Sequence, residues 1–342
     1  MYYNGTKYNL ELTEELFLRL GSSWTLDSIY LFVIPPLSII GFFLNLSFFF
    51  GSIGLKDPTN LNIYKYLIIY SFNSSILCFM YAFTFLTFSP RYFDMSFCYA
   101  TKFYRCKILA YFSIVLSFFG NMLDIMIALD RISTFLNEKM YGFNAARPLT
   151  KCLSAFILSL IINIPILYSL KIMENNEFFN ENAVNFCGQT YFGRSNTGIV
   201  INLVLVLFRD ILTLIIETIL TGLSLFYYKK YKSKSIDKYY IIATKSFNLN
   251  IEKNKRTKGK ELLFMSIYLS FISIVLHLII CSVMFMAGCV ILKDFHKCSI
   301  FTLILIISIV SKNFLNVFVC YRFDSEFKKQ FKLSNLFLNS KT

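Results

Sequence analysis

Seven long apolar segments dominate this chain, at about 28–53, 62–87, 107–129, 152–171, 199–228, 262–287 and 299–321. Each is close to the roughly 20 residues that a helix needs to cross the hydrocarbon core of a bilayer. In that solvent every backbone N–H and C=O must be satisfied internally, so a spanning segment is either a helix or a strand of a closed barrel. Barrel strands read as short runs of alternating polarity, and none of these segments alternates. The expected fold class is therefore an all-α membrane protein, a seven-transmembrane helix bundle. Composition agrees, since 56% hydrophobic and 16% charged residues are too apolar for a soluble domain of 342 residues.

Basic residues set the orientation, because Lys and Arg are retained on the cytoplasmic side. The connection between the fifth and sixth segments carries eleven, from Lys229 to Lys260. Lys56, then Lys139, Arg147 and Lys151, and the tail from Arg322 to Lys341 fall on the same side if the N-terminus is outside. The formal charge of +14 is thus a topology signal and not a sign of nucleic-acid binding. The expected division is an extracellular tail over residues 1–27, a membrane domain over 28–322 and a cytoplasmic tail over 323–342, in a multi-pass protein of the plasma membrane. Residues 1–27 lack a basic-then-apolar start, so the first segment is expected to act as a signal anchor. Asn4-Gly5-Thr6 is a glycosylation sequon in the outer tail. Phe323, Phe327 and Phe331 recur at helical spacing among lysines, which predicts a short amphipathic eighth helix in the interface.

The third segment carries chemistry at both ends. A helix rises about 1.5 Å per residue, so the step from Cys106 to Arg131 covers roughly 37 Å, one bilayer with its interfaces. A cysteine that can oxidise lies at the outer face and the Asp130-Arg131 pair at the inner one. Cys98, Cys106, Cys187, Cys289 and Cys298 all fall on or near the outer side, and their odd number leaves one thiol over.

Seven helices with an outer N-terminus, Cys106 at the outer end of the third and Asp130-Arg131-Ile132 at its inner end resemble the rhodopsin-like G protein-coupled receptors. That family ends the third helix in Asp-Arg-Tyr. Gly41 and Asn45 in the first helix resemble its Gly-Asn pair, and Asn316 with Cys320, Asp324 and Phe327 keeps the register of its Asn-Pro-x-x-Tyr motif and eighth helix. The resemblance implies a disulfide from Cys106 to Cys187 in the second outer loop. Cys289 and Cys298 are candidates for a second bridge in the third outer loop. It also implies that Asp130 and Arg131 couple to a heterotrimeric G protein when the inner ends of the fifth and sixth helices move. The chain is a divergent member: Val317 stands for the motif proline, Leu44 for a glycine, and Asn73 for the family's sodium-binding Asp.

That last departure has a counterpart. Lys312 puts a cation into the seventh helix one turn above Asn316, and an unpaired ammonium at that depth is costly. Asp124, about two turns above Arg131, is the acid at the matching depth. The expectation is an internal Lys312–Asp124 ion pair in place of bound sodium, with Asn45, Asn73 and Asn316 as hydrogen-bonding neighbours.

The ligand is expected to be a peptide or a small chemical. Ser113 occupies the place where the amine receptors of the family carry an Asp, which disfavours a simple biogenic amine. Arg209 and Asp210 in the outer half of the fifth helix either read a ligand or neutralise one another, and Glu217 lies deeper on the same helix. The alternative function is a seven-helix ligand-gated channel or transporter, against which stand the missing repeat halves and broken helices. With only His277 and His296, no nucleophile–base pair or metal-ligand spacing arises, so neither an enzyme nor a cofactor is expected.

Overall fold

The computed structural model describes residues 31–53, 62–84, 99–136, 147–172, 187–242, 267–282 and most of 304–322. They form seven long helices, α1 (Ile34–Ile53), α2 (Asn62–Ala82), α3 (residues 99–136), α4 (Pro148–Ser169), α5 (residues 196–242), α6 (Ile267–Ser282) and α7 (Ile306–Val319), and a single helical turn at Tyr191–Arg194. The outer ends of α4 and α5 are joined through a two-stranded hairpin, β1 (Leu170–Ile172) and β2 (Cys187–Gln189), with Ile172 opposite Cys187. The expected eighth helix, the Asn4 sequon, Asn316, and the Cys289 and Cys298 pair lie outside the described residues.

The bundle is apolar outside and polar within. On α1, Ser38, Gly41, Asn45 and Ser52 are buried, whereas Ile39, Phe43 and Phe50 are exposed. On α2, Ser71, Asn73, Ser74 and Ser75 face inward while Phe72 and Phe79 face out. Water rewards the opposite arrangement, and lipid rewards this one, because small polar residues let membrane helices approach and bond across the seam. Helices α1, α3, α4 and α5 are long and apolar enough to span a membrane by length and composition alone. Helix α2 spans 21 residues, and its buried serines and Asn73 lower its hydropathy.

Local chemistry explains several boundaries. Pro35 and Pro36 occupy the first turn of α1, where a missing N–H costs nothing. Ser195 caps α5, its Oγ accepting the Gly198 N–H at 3.0 Å. Helix α3 is already formed at Tyr99, well before the apolar run from 107, so Lys102 and Arg105 belong to the helix and not to a loop. Lys107 Nζ donates to the carbonyls of Leu167 at 3.0 Å and Leu170 at 2.6 Å, occupying acceptors that the end of α4 leaves open. Thr190 then fastens the hairpin, its N–H donating to Ser169 O at 3.0 Å and its hydroxyl to Tyr168 O at 2.7 Å.

The core divides into two apolar layers. The outer one joins Ile34, Leu77, Tyr81, Leu109, Leu116 and Val310. The inner one joins Phe48, Tyr66, Tyr70, Leu123, Ile127, Leu269 and Val317. Between them, α2, α3, α6 and α7 contribute a polar layer of Asn73, Ser74, Asn121, Asp124, Ser273, Lys312 and Asn313. Two π-helical stretches interrupt the regular winding, Tyr104–Phe112 in α3 and Leu207–Leu212 in α5, and both border the cavity described next.

Candidate functional site

A cavity of about 400 Å³ runs from the hairpin down to the polar layer, a volume typical of small-molecule sites. Tyr81, Arg105 and Leu170 line its outer end. Leu109, Ile114, Ile166, Ile280, Ile306 and Ile309 make the wall mainly apolar. Tyr70, Asn73, Asn121, Lys312 and Asn313 close the inner end. Of the residues singled out from sequence, Ser113, Arg209, Asp210, Asn73 and Lys312 all line it. Ser113 is buried, and its hydroxyl donates to Leu109 O within its own helix.

Arg209 and Asp210 pair with each other. They neutralise one another, with Nε donating to Oδ1 at 3.0 Å and Nη2 to Oδ2 at 2.6 Å, and they also face the cavity. Consecutive residues of a regular helix point apart. The π turn over Leu207–Leu212 brings neighbouring side chains closer in azimuth, so both stay buried.

Lys312 and Asp124 meet at the floor. Nζ lies 3.0 Å from Asp124 Oδ2, and both side chains are 9% exposed. Nζ also donates to Asn121 Oδ1 at 2.9 Å, and Ser273 of α6 donates to Asp124 Oδ2 at 2.9 Å. The neighbours differ from those expected. Asn45 donates to the carbonyls of Gly41 at 2.8 Å and Asn313 at 3.1 Å and does not touch the ion pair. Asn73 donates to Leu116 O of α3 at 3.0 Å. Asn313 accepts from Ser74 at 2.7 Å. Asn121 lies one turn before Asp124 on the same face of α3 and so meets Lys312, whereas the amide nitrogens of Asn45 and Asn73 are taken up by backbone carbonyls.

A second buried pair was not anticipated. Glu217 of α5 and His277 of α6 approach to 3.7 Å, with side chains 1% and 2% exposed. Neither carboxylate oxygen and neither ring nitrogen has a hydrogen-bond partner among the described residues. His277 also lines the cavity. The signal available was a spacing: Asp210, Thr213, Glu217, Thr221 and Ser224 form one buried stripe on α5, and Ser270, Ser273 and His277 form another on α6.

At the inner end of α3, Asp130 is buried and within electrostatic reach of Lys151 on α4 and Tyr66 on α2. The backbone of Arg131 continues the helix, and its side chain lies outside the described residues. At the outer end Cys106 is buried and disulfide-bonded, while Cys78, Cys152 and Cys281 are free thiols.

By sequence the chain matches no protein-family model and no curated protein. Its three-dimensional structure is similar to the crystal structure of squid rhodopsin, with a TM-score of 0.68 at 14% identity, over 91% of this chain and 87% of that one. The chain is a membrane protein with the seven-helix fold of the rhodopsin-like receptors.

Proposed function

We propose that this protein is a G protein-coupled receptor of the plasma membrane that binds an extracellular ligand in the cavity between α3, α5, α6 and α7. The observation that carries this reading is the buried chain Lys312–Asp124–Ser273, which ties the cavity floor to α6. A ligand acts on such a bundle only by binding one arrangement of the helices better than another, and a polar floor shared by three helices gives it something to bias. The coupling surface is the inner end of α3, with Arg131 as the residue presented to the G protein and Asp130 holding it at rest. The N-terminus is outside, Asn4 carries a glycan, and Cys106 pairs with Cys187. The hairpin supports that pairing, because β1 packs against the outer part of α3 and β2 begins at Cys187.

The test is nucleotide exchange on purified G protein α subunits, with the full chain in lipid nanodiscs. Arg131→Ala removes exchange at unchanged surface density, and Asp130→Asn raises the basal rate. Exchange by Arg131→Ala equal to that of the parent, at equal density, rejects the reading. A ligand-evoked whole-cell current in cells lacking G protein signalling favours the channel alternative instead.

A further inference from the structure

We infer that the cavity takes a singly anionic amphiphile built on one aliphatic chain, with a carboxylate against Arg105 at the outer end and a neutral hydroxyl at the floor beside Asn73 and Ser117. This names the ligand class of the receptor proposed above and rests on that reading for its biological sense, while its chemistry is read from the cavity wall alone.

The wall changes character with depth. On α3 it follows a stripe of residues four apart, from Arg105 through Leu109, Ser113 and Ser117 to Asn121. Residues at that spacing lie one above another on a helix, and the stripe runs roughly 20 Å at a rise near 1.5 Å per residue. It is charged at the top, apolar below that, and neutral but polar at the floor. Ile166, Ile280, Ile306 and Ile309 complete an aliphatic middle, where buried hydrocarbon supplies most of the affinity.

Charge fixes the outer end. Of the described residues, Arg105, Arg209 and Lys312 line the cavity together with a single acid, Asp210. Arg209 holds Asp210 at 3.0 Å and 2.6 Å, and Lys312 is held by Asp124 and Asn121. A ligand cation reaches Asp210 only by stripping it from Arg209, which strands a buried guanidinium. Arg105 is different, because it is half-buried at the outer end. A guanidinium carries five N–H donors, so a carboxylate binds there by adding to its partners and not by displacing one. His277 lines the wall 3.7 Å from Glu217, and no contact with either is required.

Unsatisfied oxygens fix the floor. Asn73 is 3% exposed, and its Nδ2 donates to Leu116 O at 3.0 Å, which orients the amide and leaves Oδ1 as the end over. Asn73 Oδ1 and the Oγ of Ser117, the residue after Leu116, have no partner among the described residues, and both residues line the cavity. A buried acceptor without a donor is costly, and a ligand hydroxyl removes that cost. The same hydroxyl also accepts, so it serves Asn73 and Ser117 together. A charged group does not suit this corner: an ammonium there faces Lys312, and a carboxylate brings only acceptors.

The experiment measures melting of the purified full chain in nanodiscs at neutral pH, without any G protein, against ω-hydroxydecanoate, decanoate, methyl decanoate and decylamine. The two carboxylates should stabilise most, with apparent affinity about tenfold above the ester, the lower end for a hydrogen bond to a charged group. The hydroxylated acid should exceed decanoate about fivefold, the net yield of one neutral hydrogen bond. Arg105→Gln should erase the margin of acid over ester, and Arg105→Lys should keep part of it. Uptake of each probe by the nanodisc lipid is the same for parent and variant and cancels in that comparison. Asn73→Leu should erase the advantage of the hydroxyl. Best stabilisation by decylamine, an ester equal to its acid, a hydroxylated acid no better than decanoate, or either margin surviving its variant overturns the inference. The first three of these outcomes need only the parent chain, so they decide even where a variant does not fold. Carboxylates that bind to a protein giving no nucleotide exchange would instead remove the coupling reading and leave this one standing.

Discussion

The Lys312–Asp124 pair makes the sharpest energetic prediction. Both side chains are 9% exposed, so solvent screens little of their interaction. Removing one partner leaves a buried charge, and losses of that kind are about 3–5 kcal/mol. Lys312→Met should therefore destabilise the bundle by about 3 kcal/mol, and Asp124→Leu by a similar amount. The two losses should not add. In the double variant no charge is stranded, and the cost shrinks to the unpaired amide oxygen of Asn121 and the hydroxyl of Ser273, about 1 kcal/mol or less each by membrane hydrogen-bond measurements. The cycle then gives a coupling energy of roughly 4–5 kcal/mol, well above the additive limit for independent sites. Reversible unfolding in mixed micelles measures all four corners. A coupling below about 1 kcal/mol would refute the argument that the pair holds the floor together. An exchange of the two charges should recover part of the single-variant loss. Since the ammonium already fills the polar layer, ligand affinity should not change when sodium replaces a bulky cation.

Further outcomes follow from single contacts. Cys106→Ala and Cys187→Ala should lower surface yield equally, and the double variant should be no worse than either, whereas additive losses would mean separate partners. A Cβ at position 198 would sit 1.9 Å from Phe192 O, so Gly198→Ala must shift the start of α5, with a loss of folded yield visible by ligand-independent surface labelling. Arg209→Leu strands Asp210 in the cavity wall, and a drop in melting temperature larger than that of Arg209→Leu with Asp210→Leu together is expected.

Most of the architecture could be read beforehand because a bilayer admits few solutions. Apolar segments of spanning length fix the helix count. The Lys312–Asp124 contact was readable for the same reason: an ammonium at that depth needs an acid, and Asp124 stands at the right height. Height along a helix follows from residue number, but azimuth does not. The π stretches over Tyr104–Phe112 and Leu207–Leu212 alter azimuth without leaving a mark in hydropathy. Asn45 and Asn73 were therefore placed in the right layer and given the wrong partners. The part of α3 before residue 107 was hidden because Lys102 and Arg105 look like loop residues. Glu217 and His277 could be seen singly as buried ionisable groups, but only the packing of α5 beside α6 makes them a pair.

That packing bears on how the bundle changes shape. The α5 stripe of Thr213, Glu217, Thr221 and Ser224 and the α6 stripe of Ser270, Ser273 and His277 are buried and polar, and Glu217, Thr221 and His277 all hold polar atoms without a hydrogen-bond partner among the described residues. An interface closed by interdigitated leucines would lose its contacts on separation. These stripes lose less, because the unpartnered oxygens and nitrogens gain water as the inner half opens. Resistance to opening then concentrates where the bonds are satisfied, at Ser273 on Asp124 and Lys312. Ser273 and His277 lie one turn apart on α6, so the cavity that His277 lines reaches to within one turn of the bond that must give. Ser273→Ala removes the α6 anchor and leaves the ion pair intact. Basal nucleotide exchange should rise in that variant while melting temperature changes little, and a fall in basal exchange would place the restraint elsewhere.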